Sequence, residues 1–281
     1  MCGIFGMINY GNHLNKSEIS GIYNSFANVC IARGEHAAGI AYVSDQDLII
    51  KKDTRSFCEA AFTHPENTKI LMAHCRLSLE KDYLENKNNH PFEGETLDHS
   101  RFALAHNGIL CDLRNIRKDL QLPTTDIVTD SYVAAQILNT QSKLDFESLK
   151  NMCEHLQGSY SFTVLDEANH LFFCRGDVPI YLVHFKKLKL YLYLSTRDLF
   201  EQALAQTSLN ESYITSNLEW ELSDVRIVPI AKGEILRITD QGEISRGQFA
   251  FCEEKAISHN WYLHEITPSK RLTEQLEHLG N

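Results

Sequence analysis

The sequence predicts an α+β fold, on three observations. Strand-like and helix-like stretches come in blocks instead of alternating one for one, the pattern of antiparallel sheets overlaid by helices. The opening run Gly3-Ile4-Phe5-Gly6-Met7-Ile8 is apolar throughout, as a strand buried on both faces must be. After Gly158, short β-rich runs follow at turn-separated intervals, with one helical stretch among them.

In chain order, residues 2–9 form the first strand. Ile19, Ile22, Tyr23, Phe26, Val29 and Cys30 then recur at three- and four-residue spacing, which predicts an amphipathic helix over roughly 18–32. It stops at Arg33-Gly34. Gly34 and Gly39, with Ala37 and Ala38 between them, predict a tight turn pressed against neighbouring backbone. A strand at 40–43 and another at 48–52 make a hairpin around Ser44-Asp45-Gln46-Asp47. Residues 69–76 read as a strand ending on the cation Arg76. The polar stretch 77–101, rich in His, Asn and Glu, reads as a long loop of the kind that serves as a functional lid.

A strand at 102–106 leads into Asn107-Gly108. Asp112 caps a short helix carrying Leu113, Ile116 and Leu120, and Asp130 opens a helical stretch at 132–138. Asp145 caps a third helix with Phe146, Leu149, Met152 and Leu156, which Gly158 ends. Strands follow at 159–166, 171–175, 180–185 and 190–195, with Lys186-Lys187-Leu188-Lys189 as a solvated hairpin turn, then a helix at 198–206. Later runs at Ile214, 225–230 and 234–239 complete a second sheet. One domain is therefore expected over 2–252. Residues 253–281 form a separate linker-like segment, with a final helix opened by Thr267 and Pro268 and striped by Leu272, Leu276 and Leu279.

Bulk properties exclude several classes. A formal net charge of -10 without a basic stripe argues against general nucleic-acid binding, which needs clustered Lys and Arg. No charged-then-apolar leader and no apolar run of about eighteen residues are present, so a cytoplasmic protein that does not span a membrane is expected. The eight cysteines include no C-x-x-C pair and the thirteen histidines no H-E-x-x-H, so neither metal nor cofactor is expected.

Candidate chemistry begins at Cys2. Removal of Met1, which the small Cys2 side chain permits, exposes a thiol with a reference pKa of about 8.5 beside an α-amine of about 7.7–8.0, so one residue can hold both nucleophile and base. A cysteine at position 2 is a weak signal alone. Asn107-Gly108 after a strand is equally a turn or a pair of donors for an oxyanion. Arg76 can clamp a carboxylate and Asp130 can accept from an ammonium group; as isolated residues they are also a solvated strand end and a helix N-cap.

Taken together, Cys2-Gly3-Ile4-Phe5-Gly6, Arg33-Gly34-x-x-Ala37-Ala38-Gly39-Ile40, His74-x-Arg76, Ala105-His106-Asn107-Gly108, Thr129-Asp130-Ser131 and Gly158-Ser159-Tyr160 resemble the class II glutamine amidotransferases, glutaminases of the N-terminal nucleophile hydrolase superfamily. The resemblance runs in order along nearly the whole chain. It implies an αββα sandwich of two antiparallel sheets in which Cys2 attacks the side-chain amide of L-glutamine, with Asn107 and Gly108 stabilising the oxyanion and Arg76 and Asp130 binding the α-carboxylate and α-ammonium. Arg33, Gly34, His90 and His106 take supporting positions. Where many members carry an aromatic residue and then Thr-His-Gly after the clamp arginine, this chain has Leu77-Ser78-Leu79-Glu80, closer to the asparagine synthetase form.

No Ser-Gly-Gly motif or sugar-phosphate region follows residue 253, and His259–Ile266 resembles the linker to the isomerase in glucosamine-6-phosphate synthase. The expectation is a free-standing glutaminase that feeds ammonia to a separate synthase subunit of sugar-phosphate isomerase type, docking through 259–279. A self-contained amidohydrolase and a non-catalytic glutamine-binding subunit are the alternatives.

Overall fold

The computed structural model describes residues 2–78, 80–213 and 224–253. The expected run at Ile214 and the C-terminal segment with its helix lie outside the described residues. In chain order the first half holds β1 (Gly3–Asn9), α1 (Lys16–Cys30), β2 (Ala37–Ser44), β3 (Asp47–Asp53), α2 (Phe57–Ala60), β4 (Ile70–Arg76), β5 (Phe92–Glu95), β6 (Arg101–Cys111) and α3 (Leu113–Asp119). The second half holds α4 (Tyr132–Asn139), α5 (Phe146–His155), β7 (Gln157–Asp166), β8 (His170–Arg175), β9 (Tyr181–Phe185), β10 (Leu190–Leu194), α6 (Arg197–Leu204), β11 (Val225–Ile227), β12 (Glu234–Thr239) and β13 (Ile244–Gln248).

Two antiparallel sheets result, of order β11-β9-β10-β1-β4-β2-β3 and β13-β12-β8-β7-β6-β5. They pack face to face over Ile4, Ile8, Ile70, Met72, Ala103, Ala105, Leu171 and Phe173. On the outer face of the first sheet α1 and α6 bury Ile22, Phe26, Phe200 and Leu204, and on that of the second α4 and α5 bury Val133, Leu138, Leu149 and Met152. Four layers follow from this arrangement, the αββα sandwich that the resemblance implies. At about 1.5–3 kcal/mol for each fully buried large apolar side chain, the inter-sheet layer is a principal stabilising element.

The strand β1 is apolar throughout because it is central: β10 and β4 flank it, and all seven of its residues are buried. The helix α1 starts two residues earlier than its periodicity alone indicates. Asn15 caps it, accepting from the Glu18 N–H while Glu18 reaches back to the Asn15 N–H.

Several sequence expectations need correction. The late strands do not make one sheet. β9, β10 and β11 extend the first sheet, because β10 pairs directly with β1, whereas β5 and β6 join the second. The long loop contains β5, an edge strand whose residues alternate buried and exposed, and two short 3-10 turns, Lys81–Leu84 and Asn86–Asn88. Asp112 precedes α3 in a left-handed conformation with no side-chain capping bond. Gly158 does not end α5: Leu156 is its C-cap, and Gly158 lies within β7. Only residues 225–227 of the 225–230 run are strand.

Candidate active site

The register pairing Gly3 with Cys75 carries Cys2, just before β1, to the level of Arg76 on β4. Side chains alternate along strands, so Cys2 lies on the same side of the chain as Ile4 and Ile8, facing the second sheet. The half-buried Cys2 is held at two points. Arg33 Nε donates to its carbonyl at 2.8 Å, and its thiol donates to the Leu77 carbonyl at 3.5 Å. Burial pushes the thiol pKa up; the Leu77 hydrogen bond and the Arg76 charge oppose this, and Asp130 reinforces it. Gly34 is where a Cβ would come within 2.4 Å of the Arg76 carbonyl carbon, so the turn after α1 presses on the Arg76–Leu77 backbone. The tight turn read from Gly34 has that contact as its cause.

Asn107 comes from the opposite sheet. It lies in β6, which runs unbroken to Cys111 and pairs with β7 throughout, so Asn107-Gly108 is strand and not a turn. Fully buried, Asn107 donates from Nδ2 to Ser195 Oγ at 3.4 Å. Ser195 in turn accepts from the Ile4 N–H at 2.9 Å and donates to the Ile4 carbonyl at 3.2 Å. One hydroxyl therefore fixes the amide of one sheet against the strand that carries Cys2 on the other. Gly108 has φ +147, and a Cβ there would meet the Ser159 carbonyl oxygen at 2.0 Å, so no other residue fits without strain.

Arg76 is buried and its terminal nitrogens are engaged. Nη1 donates to the Asn88 carbonyl at 2.5 Å and to Asn89 Oδ1 at 2.6 Å, and Nη2 donates to Thr129 Oγ1 at 3.2 Å and forms an ion pair with Asp82. Asp130 is half-buried. Its carboxylate accepts from the Leu110 N–H at 2.7 Å and from the Ser131 N–H at 2.8 Å, so it faces the β6 segment that follows Gly108.

Beneath these groups lie His74, His90 and His106, all buried. The His74 and His90 rings are 4.1 Å apart, His90 packs on Phe92, and His106 stacks on Phe162. His74 Nε2 donates to the His106 carbonyl at 3.0 Å, and His106 Nδ1 bonds Ser131 Oγ at 2.7 Å. Burial holds His74 down to about 3 and His106 to about 4, and pushes His90 well below its ordinary value, so these rings are neutral at ordinary pH. They pack the floor of the site and carry no charge into it.

The fold thus gathers every residue singled out from the sequence: Cys2, Arg33, Gly34, Arg76, His90, His106, Asn107, Gly108 and Asp130. Sequence reasoning missed Ser195, Asp82, Asn88, Asn89 and Ser131 as contributors. Ser131 sits inside the motif Thr129-Asp130-Ser131, and Asn89 immediately precedes the supporting His90. Ser195 and Asp82 lie in unremarkable contexts and acquire their contacts only through folding. Among the described residues no helix is long and apolar enough to cross a membrane.

Comparison with known proteins bears on the family and the fold. Residues 74–198 match the family model described as a glutamine amidotransferase domain. The chain is 25% identical over 253 residues to a 7-cyano-7-deazaguanine synthase of Sulfolobus acidocaldarius, covering 83% of this chain and 51% of that protein. It is 29% identical over 189 residues to a glutamine--fructose-6-phosphate aminotransferase [isomerizing] of Fusobacterium nucleatum, covering 64% of this chain and 30% of that protein. Among solved structures, that of the allosteric regulatory enzyme of purine biosynthesis superposes with a TM-score of 0.67 at 18% identity, covering 89% of this chain and 50% of the other, and so shares the fold. The chain thus contains a glutamine amidotransferase domain over residues 74–198, in keeping with the resemblance to the class II glutamine amidotransferases read from its motifs. It spans about half the length of the first of these relatives and about 30% of the second.

Proposed function

We propose that this chain is a glutaminase whose nucleophile is the Cys2 thiolate. The observation that carries the reading is the bridge Asn107–Ser195–Ile4, which fixes an oxyanion donor of one sheet against the strand that follows Cys2 on the other. The thiolate attacks the side-chain carbonyl carbon of glutamine, and the charge moves to the oxygen, where the Asn107 amide and Gly108 N–H stabilise it. Collapse breaks the C–N bond. The nitrogen leaves as ammonia with a proton returned by the Cys2 α-amine, and a γ-glutamyl thioester remains. Water then adds to the thioester, releasing glutamate and regenerating the thiol.

Arg76 binds the α-carboxylate and Asp130 the α-ammonium in this scheme, while Arg33 holds the Cys2 carbonyl in place. The raised thiol pKa suits a nucleophile whose proton must be taken by a nearby base. That base is the α-amine, which exists only once Met1 is gone.

The ammonia is used by a synthase activity carried outside residues 2–253. A sugar-phosphate isomerase-type acceptor has support from the fructose-6-phosphate aminotransferase relatives, and a 7-cyano-7-deazaguanine synthase relative supports a deazapurine acceptor equally. Glutamate release from glutamine, measured for the wild type and Cys2→Ala with and without a synthase of each type, tests the reading. Wild-type release that Cys2→Ala lowers by at least about 10⁴-fold is expected. No release under any condition would leave a glutamine-binding module instead.

A further inference from the structure

A guanidinium has five N–H donors, and clamping a carboxylate in its fork takes two of them in parallel. The terminal nitrogens of Arg76 already serve four acceptors: the Asn88 carbonyl, Asn89 Oδ1, Thr129 Oγ1 and Asp82 Oδ2. Two of these belong to a fixed frame. The Asn88 carbonyl also accepts from the Thr129 hydroxyl at 2.7 Å, and Asn89 is tied through Nδ2 to the Tyr83 carbonyl at 2.8 Å.

Asp82 differs from the others in two ways. It is the sole carboxylate of the four, chemically the same group as the α-carboxylate of an amino acid. It is also half-buried, whereas Asn88, Asn89 and Thr129 are buried, and its Oδ1 is held by the Ser78 hydroxyl at 2.5 Å.

We propose that Asp82 and the α-carboxylate of the amino-acid substrate compete for the Arg76 fork, which makes Asp82 a determinant of the site's affinity for α-carboxylates. The proposal rests on the role given to Arg76 above. Exchange of one carboxylate for another keeps the buried guanidinium neutralised, so the cost of binding is the release of Asp82 towards water and not the exposure of an unpaired charge. A site whose fork is held nine times in ten binds about tenfold more weakly than one left open. Asn at position 82 keeps an acceptor oxygen but loses the charge that makes the contact strong.

The test is calorimetric titration of L-glutamine, and of its α-amide, into the full chain carrying Cys2→Ala, with and without Asp82→Asn. Asp82→Asn should tighten glutamine about tenfold and leave the α-amide unchanged, since the amide has no carboxylate to compete. If Asp82→Asn does not fold, Ser78→Ala, which frees Asp82 Oδ1, should shift glutamine in the same direction by about 2- to 3-fold. Unchanged or weaker glutamine binding, with the α-amide retained, would make Asp82 a support for Arg76 and overturn the competition. No glutamine binding by either protein would overturn the glutamine reading itself, and the role of Asp82 with it.

Discussion

Around Cys2 the site is made of strands, and around Arg76 it is made of turns. Cys2 enters β1, Asn107 lies inside β6 and Ser195 follows β10, so the proposed nucleophile and the proposed oxyanion donor inherit the rigidity of two packed sheets. Arg76 ends β4, but its partners Asp82, Asn88, Asn89 and Thr129 come from short turns and the approach to α4. The difference teaches where each job can be done. Chemistry that needs fixed geometry sits on ladders, and recognition that must admit and release a charged substrate sits on segments with few backbone ladder bonds.

That contrast can be broken at either end. Asn107→Ala should lower kcat by about 10²- to 10³-fold, with glutamine affinity nearly unchanged, because the amide works on the developing oxyanion and not on the ground state. Steady-state kinetics beside calorimetric binding checks it, and an equal loss in both would move Asn107 to the recognition end.

The histidine floor makes the next prediction. His74 and His106 titrate at about 3 and about 4 in the folded chain, below the ordinary 6.5, so the unfolded chain binds more protons between those values. Stability is therefore full above pH 6.5 and falls as the pH drops towards 4, by roughly 1.4 kcal/mol per pH unit for each histidine. Denaturant melts at pH 7, 6 and 5 measure this, and removing one ring with His106→Gln should flatten the slope. A flat profile in the wild type would show that these rings reach water.

At the other end, Arg76→Lys should raise KM for glutamine about 10- to 100-fold with a smaller change in kcat, the worth of a charged hydrogen bond of about 1.5–3 kcal/mol. A kcat defect without a KM change would place Arg76 with the chemistry and erase the division between the two ends.

The same division explains what could be read from the sequence. Apolar spacing located β1, β4, α1 and the other buried elements, because burial leaves its period in the residue order, whereas Cys2, Arg76 and Asp130 stood out only through the motifs that carry the family resemblance. Asn107-Gly108 stayed ambiguous: its local chemistry favours a turn, and only pairing with β7 makes it strand. The edge strands β5 and β13 escaped notice because Glu93, Glu95 and Arg246 break the apolar signal where one side meets solvent. Ser195 meets Ile4 across 191 positions of chain, and Asp82 reaches Arg76 only because a turn folds back on it. Neither contact has a local signature. The assignment of strands to sheets was equally hidden, since β10 pairs with β1 from the far end of the domain.

In the proposed scheme Cys2, freed of Met1, is the group that attacks. Intact-mass and peptide mapping after treatment with an electrophilic glutamine analogue test it directly. The expected product is a chain lacking the mass of Met1 and carrying one adduct on the Cys2 peptide, prevented by excess glutamine and absent from Cys2→Ala. A retained Met1, or an adduct that maps to another of the eight cysteines and survives Cys2→Ala, would contradict it.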